Sequence, residues 1–256
     1  MLRTLRYRTL ALTLVATAAL LVTMATRAAA EPQGTPGGQG RAAQAKPPTI
    51  EEKATGMQKL DGFFPLYWDE PSGTLYMEVA KFDTDVLYFT GLQAGVGSND
   101  IGLDRGQGGG SQLVRFERVG PKIFLVEPNL TFRAISDNPD ERRAVDDSFA
   151  RSIHWGFTVA AESNGRVLVD LTDFILRDAH GVIQRLRPAT FRLDRTRSAV
   201  HMPRTKNFPK NTEMEVTLTY TTDGTTQGAG GGFGEGALAA VTPNDQAVTV
   251  RQHHSF

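Results

Sequence analysis

The sequence predicts a mainly β fold, one or more twisted antiparallel sheets of about ten strands with a single clear helix near residues 139–151. Three observations predict it. Short segments alternate apolar and polar residues with period two. Turn chemistry at hairpin spacing separates them, including Pro71-Ser72-Gly73, Gly120-Pro121 and Asn164-Gly165. Neither a regular βαβ alternation nor a propeller or solenoid repeat is present.

Residues 1–30 read as a signal peptide. Arg3, Arg6 and Arg8 form a basic start, Leu10 to Met24 is an apolar run, and Ala28-Ala29-Ala30 offers a peptidase small residues, which makes Glu31 the first mature residue. The alternative is an uncleaved anchor, because the run approaches the shortest lengths that span a bilayer. Alanine and threonine dilute its hydrophobicity, so export to the periplasm or the extracellular space is expected, with no stable membrane span after cleavage. The chain has no cysteine, which removes disulfides and thiolate metal ligation. Residues 31–49 are rich in Gly, Pro, Gln and Ala and read as a disordered leader. Residues 50–256 then form one mainly β domain. Formal net charge is zero, so no global field favours nucleic acid.

The strands follow in order. FFPLYWDE and LYMEVAKF flank the Pro71-Ser72-Gly73 turn as a hairpin. DVLYFTGLQ is more continuously apolar and suits a central strand buried on both faces. Residues 95–111 read as a glycine-rich loop, after which QLVRFERV and KIFLVEP pair across Gly120-Pro121. Ala144, Val145, Phe149 and Ile153 recur at helical spacing after a proline and acids, which predicts a helix over Pro139 to Arg151. HWGFTVAAES and RVLVDLTDFIL read as two strands around Asn164-Gly165. EMEVTLTYT and QAVTVRQHHSF read as two more, across a second glycine-rich loop from Thr221 to Ala237.

Candidate chemistry is sparse. No histidine pair has H-E-x-x-H spacing. His253 and His254 are adjacent in a strand pattern, so they point to opposite faces and cannot readily grip one ion. The loop at 95–111 lacks G-x-x-x-x-G-K-S/T, and its aspartates would repel phosphate. Asn99, Asp100 and Asp104 supply hard oxygens and, with Arg105, form a candidate ligand or calcium loop, although the spacing matches no EF-hand. The alternative is a long turn in which Asp104 and Arg105 pair or cap locally. Asp178 and His180 are a second candidate, a carboxylate placed to orient an imidazole, with a hydrogen-bonded turn as the alternative. Asp146 and Asp147 read as a solvated helix face, and Phe63, Phe64, Tyr67 and Trp68 as core and sheet edge.

Seven segments in this order, KLDGFFPLYWDEPSGTLYMEV, GSNDIGLDRGQ, VRFERVGPKIFLVEPNLTFRA, ERRAVDDSFARSIHWGF, LVDLTDFILRDAHGV, FPKNTEMEVTLTY and VTVRQHHSF, resemble the N-terminal part of bacterial secreted zinc-dependent metalloproteases. In that family a domain of unknown function precedes a metzincin-like catalytic domain. The resemblance runs from about Gln58 to Phe256. It implies that the H-E-x-x-H helix lies downstream of QHHSF, so no zinc ligand or catalytic glutamate carries onto a residue here. On that basis no cofactor is expected in this chain, and zinc only in a further domain. The implied partners are a catalytic domain in cis and a polypeptide substrate, the latter held by strand addition at an open sheet edge. Ending on apolar Phe256 within a strand pattern fits a chain cut short before that domain. Two other readings are a free-standing envelope module that binds a ligand or calcium, and a hydrolase built on Asp178 and His180.

Overall fold

Thr49 starts the first element with a capping box: its hydroxyl accepts from the Glu52 N–H, and the Glu52 carboxylate accepts from the Thr49 N–H. The computed structural model describes residues 46–227 and 238–256. The expected signal peptide, most of the expected leader and residues 228–237 of the second glycine tract lie outside the described residues. In chain order the elements are α1 (Ile50–Lys53), β1 (Gln58–Leu60), β2 (Leu66–Asp69), β3 (Thr74–Val79), β4 (Val86–Ala94), β5 (Gln107–Val119) and β6 (Lys122–Glu127). Then come α2 (Pro139–Ser148), β7 (Ser152–Ser163), β8 (Arg166–Asp170), α3 (Thr172–Ile175), α4 (Val182–Arg185), β9 (Arg192–Val200), β10 (Lys206–Phe208), β11 (Asn211–Thr221) and β12 (Ala247–Ser255). Among the described residues no helix is long and apolar enough to cross a membrane.

The strands form one twelve-stranded antiparallel sheet in the order β1-β2-β3-β8-β7-β6-β5-β4-β12-β11-β10, with β9 beside β10 on the same edge of β11. Its two ends meet without pairing as a ladder. Asn207 Nδ2 donates to the Leu60 and Phe64 carbonyls at 2.9 and 2.7 Å, and the Phe63 N–H donates to the Phe208 carbonyl at 2.8 Å. The sheet therefore curls around a single main core and stays open as a barrel.

Period-two alternation supplies that core. Leu75, Met77 and Val79 of β3, Val114 and Phe116 of β5, and Met214, Val216, Leu218 and Tyr220 of β11 all face inward and are buried. Phe256 sits at the centre, with ring centroids 5.0 Å from Tyr88, 5.7 Å from Phe64 and Phe116, and 6.2 Å from Phe174. Burying each such ring contributes about 1.5–3 kcal/mol. On the opposite face α1 covers a smaller cluster of Ile50, Tyr67, Tyr76, Ala161 and Leu168.

Four expectations change. Two faces do not bury β4, because Leu87 is 59% exposed. The run QGGGS belongs to β5 and is not loop: the Phe89 ring lies over Gly91 and Gly108, where a Cβ would stand 3.1 and 3.6 Å from it. The helix near 139–151 ends at Ser148, with Phe149 already extended and Ile153 in β7, so the apolar spacing that predicted it crosses an element boundary. The strand expected through TDFIL stops at Asp170, whose carboxylate accepts from the Thr172 N–H at 2.8 Å and opens α3.

Candidate functional site

The segment 95–106 is tied to the core by Val96, Ile101 and Leu103, all buried. Its backbone closes on itself from the Val96 N–H to the Leu103 carbonyl at 3.1 Å, and its base is held by the Gly106 N–H on the Leu92 carbonyl at 2.6 Å. Asn99 is spent locally, accepting from the Ile101 N–H at 3.0 Å and donating to the Val96 carbonyl at 2.8 Å. Asp100 and Arg105 are exposed and Asp104 is half-buried. Asp104 holds the turn through its backbone, whose carbonyl accepts from the Gln107 N–H at 3.3 Å. Among the described residues no group of three or more His, Asp or Glu is placed to hold a metal ion.

Asp178 and His180 do not form an oriented dyad. The Asp178 carboxylate accepts from the Val182 and Ile183 N–H groups at 2.7 and 2.9 Å and from the Tyr220 hydroxyl at 3.0 Å, so it caps α4. Burial and that carboxylate together push the Tyr220 phenol well above its ordinary range. His180 is held by glutamines instead. Its N–H donates to Gln252 Oε1 at 2.9 Å, and its Nε2 lies 3.0 Å from Gln107 Oε1. Burial lowers the His180 pKa, Arg185 adds to the effect, and Asp178 opposes it. A neutral ring that donates from Nε2 leaves Nδ1 a bare acceptor. That Nδ1 is buried without a partner and faces Gly109, where a Cβ would stand 2.8 Å from it and 2.7 Å from Thr90 Oγ1.

The two candidate groups thus meet at one end of the sheet through residues other than the predicted acids. Gln107 carries the loop to His180, and Arg185 Nη1 donates to the Gly102 carbonyl at 2.6 Å.

From His180 a buried polar chain continues inward. Gln252 Nε2 donates to the Arg177 carbonyl at 2.9 Å and lies 2.8 Å from His254 Nε2. His254 Nδ1 lies 2.7 Å from the Tyr88 hydroxyl, to which Arg177 Nη2 also donates at 3.2 Å. The His180 N–H fixes Oε1 of Gln252, which aims the second amide hydrogen of Gln252 at His254 Nε2. That nitrogen also lies 3.1 Å from the carbonyl of Ile175 in α3, and Nδ1 faces the Tyr88 hydroxyl. Burial, with the Arg177 cation adding to it, pushes the His254 pKa down to about 3, and burial pushes Tyr88 up to about 12. A neutral, fully engaged imidazole locks β4, β12 and α3 together. It does not present itself to substrate. The signal for it lay in QHHSF: alternation puts Gln252 and His254 on the face of Val248, Val250 and Phe256.

His253 faces the other way. Its Nε2 donates to Glu213 at 2.5 Å, and Ser255 Oγ donates to the same carboxylate at 2.8 Å, as does Asn211 Nδ2. Burial would raise the Glu213 pKa, but these donors outweigh it and hold the group below its ordinary range. Glu215, opposite His253 in the ladder, is buried with Arg251 Nε 3.9 Å from its Oε2. The two neighbouring histidines therefore serve separate networks on opposite faces.

The family model described as "Domain of unknown function (DUF5117)" matches residues 106–256, more than half of the chain. The chain belongs to that family. No curated protein and no solved structure matches it. The DUF5117 span takes in β5 to β12 and, apart from Tyr88, the side chains of the buried polar chain.

Within that span lies an apolar surface that strand and motif reasoning missed. The connection from β6 to β7, residues 128–151, carries α2. Five of the nine large hydrophobics exposed among the described residues belong to it or to its junction with β7: Leu130, Phe132, Ile135, Phe149 and Ile153. Ile135 is 95% exposed. Phe132 and Phe149 stack at 4.0 Å with their planes 6° apart, and with Val145 they wall a groove of about 590 Å³ whose floor is Arg115, Glu117 and buried Val126. No residue of α2 is buried, so the helix offers little to this chain's own core.

Proposed function

We propose that this DUF5117 chain is a non-catalytic N-terminal module of an exported zinc-metalloprotease-like protein, and that its 128–153 segment packs on the catalytic domain and positions or restrains it. The observation that carries the reading is the gathering of exposed Leu130, Phe132, Ile135, Phe149 and Ile153 on one connection and its junction with β7. Exposed large apolar side chains gathered in this way mark an interaction site. Interfaces between domains of one chain are of the size such a segment could cover. The ordered motifs that resemble the N-terminal part of secreted metalloproteases point to the identity of the partner. On this reading zinc and the catalytic glutamate belong to that partner, and export rests on the basic and apolar N-terminal segment.

Reading the gene beyond the Phe256 codon tests the proposal. An in-frame H-E-x-x-H is expected. A stop codon at that point, with no zinc protease co-purifying with the chain, would contradict it.

A further inference from the structure

We infer that the free half-edge of β5, from Gly108 to Leu113, is an acceptor for an extended polypeptide segment, which adds to the sheet as a strand. On one side β5 pairs with β4 from Gln107 to Val114. On the other, β6 reaches only Arg115 to Val119, because β6 ends at Glu127 and the chain turns away into the 128–151 connection. Among the described residues no further backbone bond involves residues 108–113. Gly108 to Ser111 are exposed, and Gln112 and Leu113 are half-buried.

The outer strands of the sheet are blunted by shortness or by charge, whereas this stretch carries only a bulge at Gly109. β1 and β10 are three residues long and carry Lys59 and Lys206, and β9 is studded with Arg192, Asp194, Arg195 and Arg197. Gly-Gly-Gly-Ser-Gln-Leu has neither charge nor proline. Its glycines leave room for a second backbone to approach closely. Six residues at about 3.4 Å each give a track of roughly 20 Å, enough for one short added strand. Beside its end lies a cavity of about 300 Å³ between Leu113, Glu127, Asn129, Thr131 and Ser152, which can seat one polar side chain of the incoming segment. The occupant follows from the unmet valence, a row of backbone donors and acceptors that only another extended backbone can satisfy in register. This goes beyond the docking reading and fails separately from it, since its test reads the amides of β5 and not those of the 128–153 segment, which shares only the wall of this cavity.

The test is amide hydrogen exchange on the full chain titrated with a lysine-flanked hexapeptide of alternating valine and threonine. Exchange at amides within Gly108–Leu113 is expected to slow roughly tenfold or more. Ser111→Lys is expected to abolish the slowing without lowering the melting temperature, and the same peptide N-methylated at alternate residues is expected to have no effect. Unchanged exchange at millimolar peptide, or equal slowing by the N-methylated peptide, would overturn the inference. Slow exchange before any peptide is added would also overturn it: if it rises with protein concentration the edge belongs to a second copy, and if it does not the edge belongs to another segment of this chain.

Discussion

Tyr88 and His254 stand 2.7 Å apart, hydroxyl to Nδ1, joining β4 to β12 across 166 residues of sequence. The contact is the inner end of a chain of side chains that runs through Gln252 to His180 and Gln107. Its members are buried or half-buried and held by one another, which is the arrangement of a structural lock.

Replacing His254 with Gln tests the lock through pH. The folded-state pKa of His254 is depressed from 6.5 to about 3, so its contribution is complete above pH 6.5 and is lost as pH falls from there toward 3. His254→Gln should cost roughly 1–3 kcal/mol at neutral pH by leaving buried partners unmatched. The gap between wild type and variant should then narrow on acidification, by on the order of a few kcal/mol, because Gln does not titrate. Urea melts at several pH values measure both.

Phe256→Ala empties the middle of the aromatic cluster formed with Phe64, Tyr88, Phe116 and Phe174. A loss of about 3–5 kcal/mol is expected. Calorimetric melting reads it directly.

Two adjacent glycines should respond differently. At Gly109 a Cβ would collide with Thr90 Oγ1 and His180 Nδ1, both under 3.0 Å, whereas at Gly108 it would touch the Phe89 ring at an ordinary 3.6 Å. Gly109→Ala should destabilise by about 1–3 kcal/mol and shift the His180 imidazole resonances. Gly108→Ala should leave stability within roughly 0.5 kcal/mol of wild type and the His180 resonances in place.

The hairpins were legible because their signals are local. Asn164 and Gly165 both take positive φ, 51° and 77°, as a tight primed turn requires, and the Pro71 and Gly120 turns sit where read. Period two also placed His253 and His254 on opposite faces. What stayed hidden depended on partners far away in sequence. The strand state of QGGGS comes from the Phe89 ring, and the Glu213–His253 pair needs the register of β11 on β12. The three-residue strands β1 and β10 and the charged strand β9 carry little hydrophobic alternation. Asp178 and His180 are close along the chain, yet the amides of α4 and the Tyr220 hydroxyl take the carboxylate first. The loop acids Asp100 and Asp104 had no geometric reason to converge, because the segment is anchored by Val96, Ile101 and Leu103 instead.

The docking surface makes a further prediction about stability. Ile135→Asp and Phe132→Ser alter exposed side chains, so each should change the stability of the chain itself by no more than about 0.5–1 kcal/mol, measured by urea melts.

Their effect on association bears most directly on the proposed role. Amide exchange of the chain should be followed with and without a zinc-metalloprotease catalytic domain encoded in the same reading frame, supplied as a separate polypeptide. The expected result is slowed exchange across residues 128–153, and loss of the complex in the Ile135→Asp, Phe132→Ser double variant. A complex that forms with exchange in 128–153 unchanged, or that survives the double substitution, would contradict docking through this segment.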